Sequence, residues 1–137
     1  MAFDPSSDYP LGARRPELVT TPRGRALAEV TLDAVRTGEL DASELRATAG
    51  TLRLQALVAR ASGRTQLAEG LERAAELAGL DDDELLAVYT ALRPGRSTAE
   101  ELERIAERLD GQDAPLNAAF VREALAAYRE RSLLADG

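Results

Sequence analysis

The sequence predicts an all-α fold, a compact orthogonal bundle of about five to six short helices with an extended N-terminal arm. Three observations carry that prediction. Apolar residues recur at helical spacing in four separate segments, no alternating apolar/polar run of strand length competes with them, and cap-and-break signals separate the segments. The chain has 137 residues, which suits a single domain. Its residues are 45% hydrophobic but only 4% aromatic, so alanine and leucine must do the packing. Alanine buries little area, and at about 25 cal/mol per Å² such a core stabilises modestly. The composition therefore points to a chain that leans on a partner.

The elements follow in order. Residues 1–23 carry no helical period and hold four of the six prolines, Pro5, Pro10, Pro16 and Pro22. Proline at this density favours extended backbone. Tyr9, Leu11, Leu18 and Val19 are nevertheless too apolar for a solvated tail, so these residues are expected to form an arm lying along another surface. Residues 24–137 are expected to form the helical domain. A first imperfect helix covers about 24–37, interrupted by Thr31 and Thr37 and ended by Gly38. Asp41 with Glu44 offers a short capped turn. Residues 49–61 place Leu54, Leu57, Val58 and Ala61 on one helical face, and Ser62-Gly63 breaks the run. Residues 64–78 do the same with Leu67, Leu71, Ala74 and Ala75, and Gly79 sits just past the end.

Asp81 with Glu84 opens a helix over 82–92, on Leu85, Val88, Tyr89 and Leu92. The corner Arg93-Pro94-Gly95-Arg96 stops it, because proline lacks the N–H and its ring clashes with the preceding turn. Ser97 reads as the next N-cap, with Glu100 completing a capping box. Residues 98–109 then repeat the template with Leu102, Ile105, Ala106 and Leu109, ended by Asp110-Gly111. Pro115 suits the first turn of a last helix, whose face is Val121, Ala124, Leu125 and Tyr128.

Much chemistry is excluded by residues the chain does not have. It contains no histidine, cysteine or lysine, and all seventeen basic residues are arginine. Imidazole acid/base chemistry, thiolate and Schiff-base catalysis and a P-loop all need one of the three. No catalytic, cofactor-binding or metal-ligating residue is expected. Asp81-Asp82-Asp83-Glu84 is the densest carboxylate run, but it lacks the spacing and central glycine of a calcium loop. Acids at a helix start complement the macrodipole, and that reading is preferred. A formal net charge of −7 argues against nucleic acid and against an anionic membrane surface. No segment approaches the roughly 20 apolar residues of a membrane span, and a cytoplasmic protein is expected. The corner arginines exceed what a turn needs. Their expected partners are acids of this chain, such as Glu100 and Glu101, or of a neighbouring subunit. Tyr9, Leu11, Arg93, Pro94 and Arg96 are thus the candidate interface residues.

These stretches, taken in order, resemble the small (γ) subunit of adenosylcobalamin-dependent diol and glycerol dehydratases. The matching pieces are Tyr9-Pro10-Leu11 with Pro16-Glu17, Thr31-Leu32, Leu45-Arg46, Thr51-Leu52 with Gln55-Ala56, and Gly63-Arg64. Further along come Arg73-Ala74-Ala75-Glu76-Leu77, then Tyr89 with Ala91-Leu92-Arg93-Pro94, and Arg96-Ser97-Thr98. The last is Ala119-Phe120-Val121-Arg122-Glu123-Ala124 with Tyr128 and Arg131. Gly95 departs from the bulky aromatic residue usual in that family, and Glu69-Gly70-Leu71 from an Asn-Phe-containing stretch.

The resemblance implies a dimer of heterotrimers with large and medium subunits. In such a complex the other subunits bind substrate, metal ion and adenosylcobalamin, and the small subunit is helical and non-catalytic. The reaction implied is radical dehydration of 1,2-propanediol or glycerol to an aldehyde and water, in the cytoplasm, with enclosure in a bacterial microcompartment left open. The alternative is a free-standing helical adaptor or regulatory protein without enzyme activity.

Overall fold

The computed structural model describes residues 2–137. Helices account for 62% of the chain, and the described residues form no strand. The all-α prediction therefore holds. The backbone divides into two units, Met1–Ala75 and Glu76–Gly137.

The first unit begins with short turns rather than a uniformly extended stretch. A single helical turn, α1 (Leu11–Arg14), is followed by a 3-10 turn at Pro16–Leu18, with Pro16 at its first position. Proline's fixed φ serves a helix start as well as an extended run, so its density alone misled. Arg15 clamps this segment, with its guanidinium 2.7 Å from Asp8 and 2.6 Å from Glu17. The helix expected over 24–37 is two pieces, a 3-10 turn at Leu27–Glu29 and α2 (Leu32–Arg36). The cause is Thr31. Its hydroxyl accepts the Ala34 N–H at 3.1 Å and so starts a new helix at the interruption expected there.

Asp41 caps the 3-10 turn Ala42–Leu45 through Ser43. Glu44 is not the second half of a capping box. It is buried, 3.2 Å from Arg25 Nε, and accepts a long hydrogen bond from the Thr21 hydroxyl. Two longer helices follow. Thr48 caps α3 (Ala49–Ala61) by accepting the Thr51 N–H. Gly63, at φ +77°, turns the chain into α4 (Thr65–Leu77).

The α3–α4 core is smaller than periodicity suggested. Ala56, Ala59 and Ala68 are buried against one another with Leu71 beside them, while Leu57 and Leu67 are exposed. The leucines one position round are left outside the seam.

The second unit has a larger core of Leu80, Leu102, Ile105, Ala106, Leu109, Ala114, Ala118, Val121 and Leu125. Asp81 caps α5 (Asp82–Ala91), accepting the Glu84 N–H at 2.8 Å, which bears out the capping reading of the acidic run. Helix α6 (Ala99–Gly111) is capped by Thr98 with Glu101, one residue later than expected from Ser97 and Glu100. Ser97 is turned inward instead, and its hydroxyl donates to the Ala91 carbonyl at 2.8 Å. A buried hydroxyl needs a partner, and the end of α5 supplies it.

Helix α7 (Pro115–Arg131) starts on Pro115 and ends at Ser132 in the left-handed region. Its own N-cap, Ala114, has no capping side chain. Glu76 takes that role from forty residues away. Its carboxylate accepts the N–H groups of Leu116 at 2.9 Å and Asn117 at 3.0 Å, and the Asn117 side-chain amide at 2.6 Å. Tyr128 packs on the core as predicted, and its hydroxyl donates to the Leu92 carbonyl. Tyr89 was expected in the core and is 69% exposed. Helix α5 turns Leu85, Val88 and Leu92 inward, which leaves Leu86 and Tyr89 on its exposed flank.

Candidate subunit interface

The corner after α5 is built by backbone bonds, which leave its side chains outside. Gly95 holds φ at +74°, and its N–H donates to the Leu133 carbonyl at 2.7 Å. The Arg96 N–H closes the turn on the Arg93 carbonyl at 3.1 Å, and the Ala135 N–H reaches the Ser97 carbonyl at 2.9 Å. The last residues of the chain thus brace the corner from behind. Arg93, Pro94 and Arg96 are all exposed.

No described carboxylate lies within ion-pair distance of Arg93 or Arg96, so the expected pairing with Glu100 or Glu101 of the same chain does not form. Glu101 is instead committed to the Thr98 N–H. Arg122 makes the contrast plain. It joins α7 to α6 through Glu103 at 3.0 Å and Asp110 at 2.9 Å. Those two carboxylates, Glu103 first, raise its pKa above the ordinary arginine value. Arg96 lines a groove of about 1040 Å³ between α5 and α6, with Glu101, Arg104, Glu107 and Arg108 around it. A guanidinium fork suits carboxylates, and two of them here face outward without one.

The other predicted residues lie in the first unit. Tyr9 is 63% exposed and borders a groove of about 480 Å³ with Gln55, Val58, Leu67 and Leu71. Leu11, two residues on, is 6% exposed and covered by its own chain. Its part in any interface would be to hold Tyr9 in place. The Arg15 clamp flanks both. The Asp4 N–H first, and Arg15 after it, hold the Asp8 carboxyl below its usual range, and Arg15 does the same for Glu17.

Sequence reasoning did not single out an apolar groove of the second unit. Between α5 and α7 runs a groove of about 600 Å³ over Leu77, Leu85, Val88 and Val121, with Leu86, Tyr89 and Phe120 on its rim. Leu86 is 63% exposed and Phe120 46%. A signal was present. Leu86 falls outside the apolar face that Leu85, Val88 and Leu92 define, and an apolar residue off the core face is a candidate contact.

The donor set does not fit a cobalt or zinc site. There is no imidazole and no thiolate, and the described residues hold no cluster of acids that could bind a metal ion. Nor is any described helix long and apolar enough to cross a membrane.

Residues 5–135 match the family model described as "Dehydratase small subunit". The chain is 48% identical over 129 residues to the propanediol dehydratase small subunit of Salmonella typhimurium, covering 93% of this chain and 75% of that protein. It is 47% identical to the propanediol dehydratase small subunit of Citrobacter freundii, with the same coverage of both. The chain belongs to the dehydratase small-subunit family.

Proposed function

We propose that this chain is the non-catalytic small subunit of a cobalamin-dependent dehydratase of the propanediol type. Large and medium subunits would carry the substrate, the metal ion and adenosylcobalamin, in a dimer of heterotrimers in the cytoplasm. The reaction of that complex would convert 1,2-propanediol or glycerol to an aldehyde and water. The family and the two relatives' names support the assignment. The cofactor supplies the radical chemistry, and protein supplies position and electrostatics. With no imidazole to offer cobalt, this chain's contribution is mechanical.

One observation carries the supporting role. In the first unit Tyr9, Leu32, Val35, Leu45, Leu57 and Leu67 are exposed, while its buried apolar side chains are Leu11, Leu40 and five alanines, Ala34, Ala56, Ala59, Ala68 and Ala75. Covering a large apolar side chain fully gives about 1.5–3 kcal/mol, so these six are the side chains from which a covering partner would draw most. Tyr9 and Leu11 in this unit, and Arg93, Pro94 and Arg96 in the other, are the residues proposed to meet it.

Co-expression tests the reading. Large and medium subunits made with this chain should form an active complex. Made without it, they should assemble poorly and lose turnover in proportion. Equal assembly and equal turnover without it would refute the role.

A further inference from the structure

The corner between α5 and α6 has the pattern of a type II turn. Pro94 takes its second position and Gly95, at φ +74°, its third, and the Arg96 N–H closes it on the Arg93 carbonyl. A turn with exposed side chains has little of its own to hold it still. A segment from further along the chain supplies the hold. Ser132 stands at φ +54° and reverses the chain at the end of α7. The Leu133 N–H then returns to the Tyr128 carbonyl at 2.9 Å, the bond of a Schellman cap. From there residues 133–135 are tied to the corner twice. The Leu133 carbonyl accepts the Gly95 N–H at 2.7 Å, and the Ala135 N–H donates to the Ser97 carbonyl at 2.9 Å. Leu134, between the two ties, packs on the core of the second unit. Tyr128 adds a third tie, because its hydroxyl donates to the Leu92 carbonyl. All of these bonds reach the corner through its backbone. They leave the side chains of Arg93, Pro94 and Arg96 outside.

We propose that residues 133–135 are a strap that positions the interface corner, holding Arg93, Pro94 and Arg96 in one backbone conformation before a partner subunit meets them. A loop already in its bound shape loses less conformational entropy on association, and affinity rises by that difference. The strap acts through the corner and needs no contact of its own with a partner. On the far side of the corner the Ser97 hydroxyl is bonded to the Ala91 carbonyl at the end of α5. The strap's own share therefore falls on Gly95 and Arg96. Its positioning role rests on the reading of the corner as a subunit interface; its hold on the turn does not.

The test compares the full chain with a variant ended after Ser132 and with Ser132→Gly, which keeps the reversal because glycine adopts the left-handed region freely. Hydrogen exchange is read at the Gly95 and Arg96 amides, with the amides of α6 as an internal reference. Removing the strap should speed exchange at Gly95 by about tenfold, since that amide loses its acceptor and the turn its support. Helix α6 should stay protected, and Ser132→Gly should leave Gly95 as it is in the full chain. Should the loss of Leu134 loosen α6 as well, a chain ended after Leu134 keeps that side chain and removes only the Ala135 tie. Exchange at Gly95 is then expected to rise about twofold to tenfold, the worth of one backbone hydrogen bond. The second readout is recovery of the large and medium subunits on each tagged chain after co-expression. It should fall several-fold in the shortened chain whose α6 is intact and hold at the full-chain level for Ser132→Gly. Unchanged exchange at Gly95 overturns the strap. Faster exchange with unchanged recovery overturns its positioning role. Should the full chain itself recover no partner, the proposed function fails, while the exchange result still decides the strap.

Discussion

The two units of this chain solve the same packing problem with different materials. In the second, leucine, isoleucine and valine from α6 and α7 interlock with Leu80, and alanines fill the space between them. In the first, the helix pair α3–α4 meets through Ala56, Ala59 and Ala68 with Leu71 beside them, Leu57 and Leu67 are exposed, and the large buried side chains, Leu11 and Leu40, lie outside that pair. Polar devices compensate there. Arg15 clamps Asp8 and Glu17, Arg25 neutralises the buried Glu44, and Thr31, Asp41 and Thr48 each cap a turn or helix. The lesson is that helical content does not measure independence. One unit carries a single large core, and the other combines small buried patches with hydrogen bonds that water weakens.

The largest test of that difference is truncation in the second unit. Leu102 is fully buried, so Leu102→Ala should cost about 2–5 kcal/mol in urea unfolding. Ala56→Gly in the first unit should cost about 1 kcal/mol, mostly helix propensity. Equal costs would mean that the two cores are equivalent, and the contrast would fail. Next comes the remote cap of α7. Glu76→Ala removes three hydrogen bonds from its first turn and should cost about 1–2 kcal/mol, with the amides of Leu116 and Asn117 exchanging faster. An unchanged melting curve would show that Pro115 alone suffices to start the helix.

The smallest effect is a response to acid. The carboxyls of Asp8, Glu17 and Asp41 are held below their usual range, the first chiefly by the Asp4 N–H, the second by Arg15 and the third by Ser43. A carboxyl lowered in the folded state stabilises at every pH above its unfolded pKa of about 4. That contribution disappears as pH falls through the lower folded value. Amide signals around Asp8 and Glu17 should therefore change as a titration followed by NMR falls below about pH 4. Unchanged signals there would contradict the contacts that lower these two carboxyls.

Much of this was legible in the chain. The periods of α5, α6 and α7, the stop at Pro94 and the start at Pro115 all follow from local chemistry, and the structure keeps them. Three features were not legible, each for a tertiary reason. Thr98 displaced Ser97 as the cap because the Ser97 hydroxyl was needed by the Ala91 carbonyl, a contact no local rule contains. Tyr89 fits the apolar template of α5, but the inward side was chosen by Leu85, Val88 and Leu92 packing on a core drawn from distant residues. Glu76 looked like one acid among many, since its role depends on α7 starting beside it forty residues later. Of the interface residues, the exposure of Arg93, Pro94, Arg96 and Tyr9 was foreseeable from turn and proline signals. The burial of Leu11 was not, because nothing local distinguishes it from Tyr9.

Hydrogen exchange on the free chain and on the assembled complex tests the central claim most directly. The account predicts that helix amides of the second unit are protected in both states, whereas those of α2 and α3 gain strong protection only on assembly. Full protection of α2 and α3 in the free chain, with no gain in the complex, would contradict it.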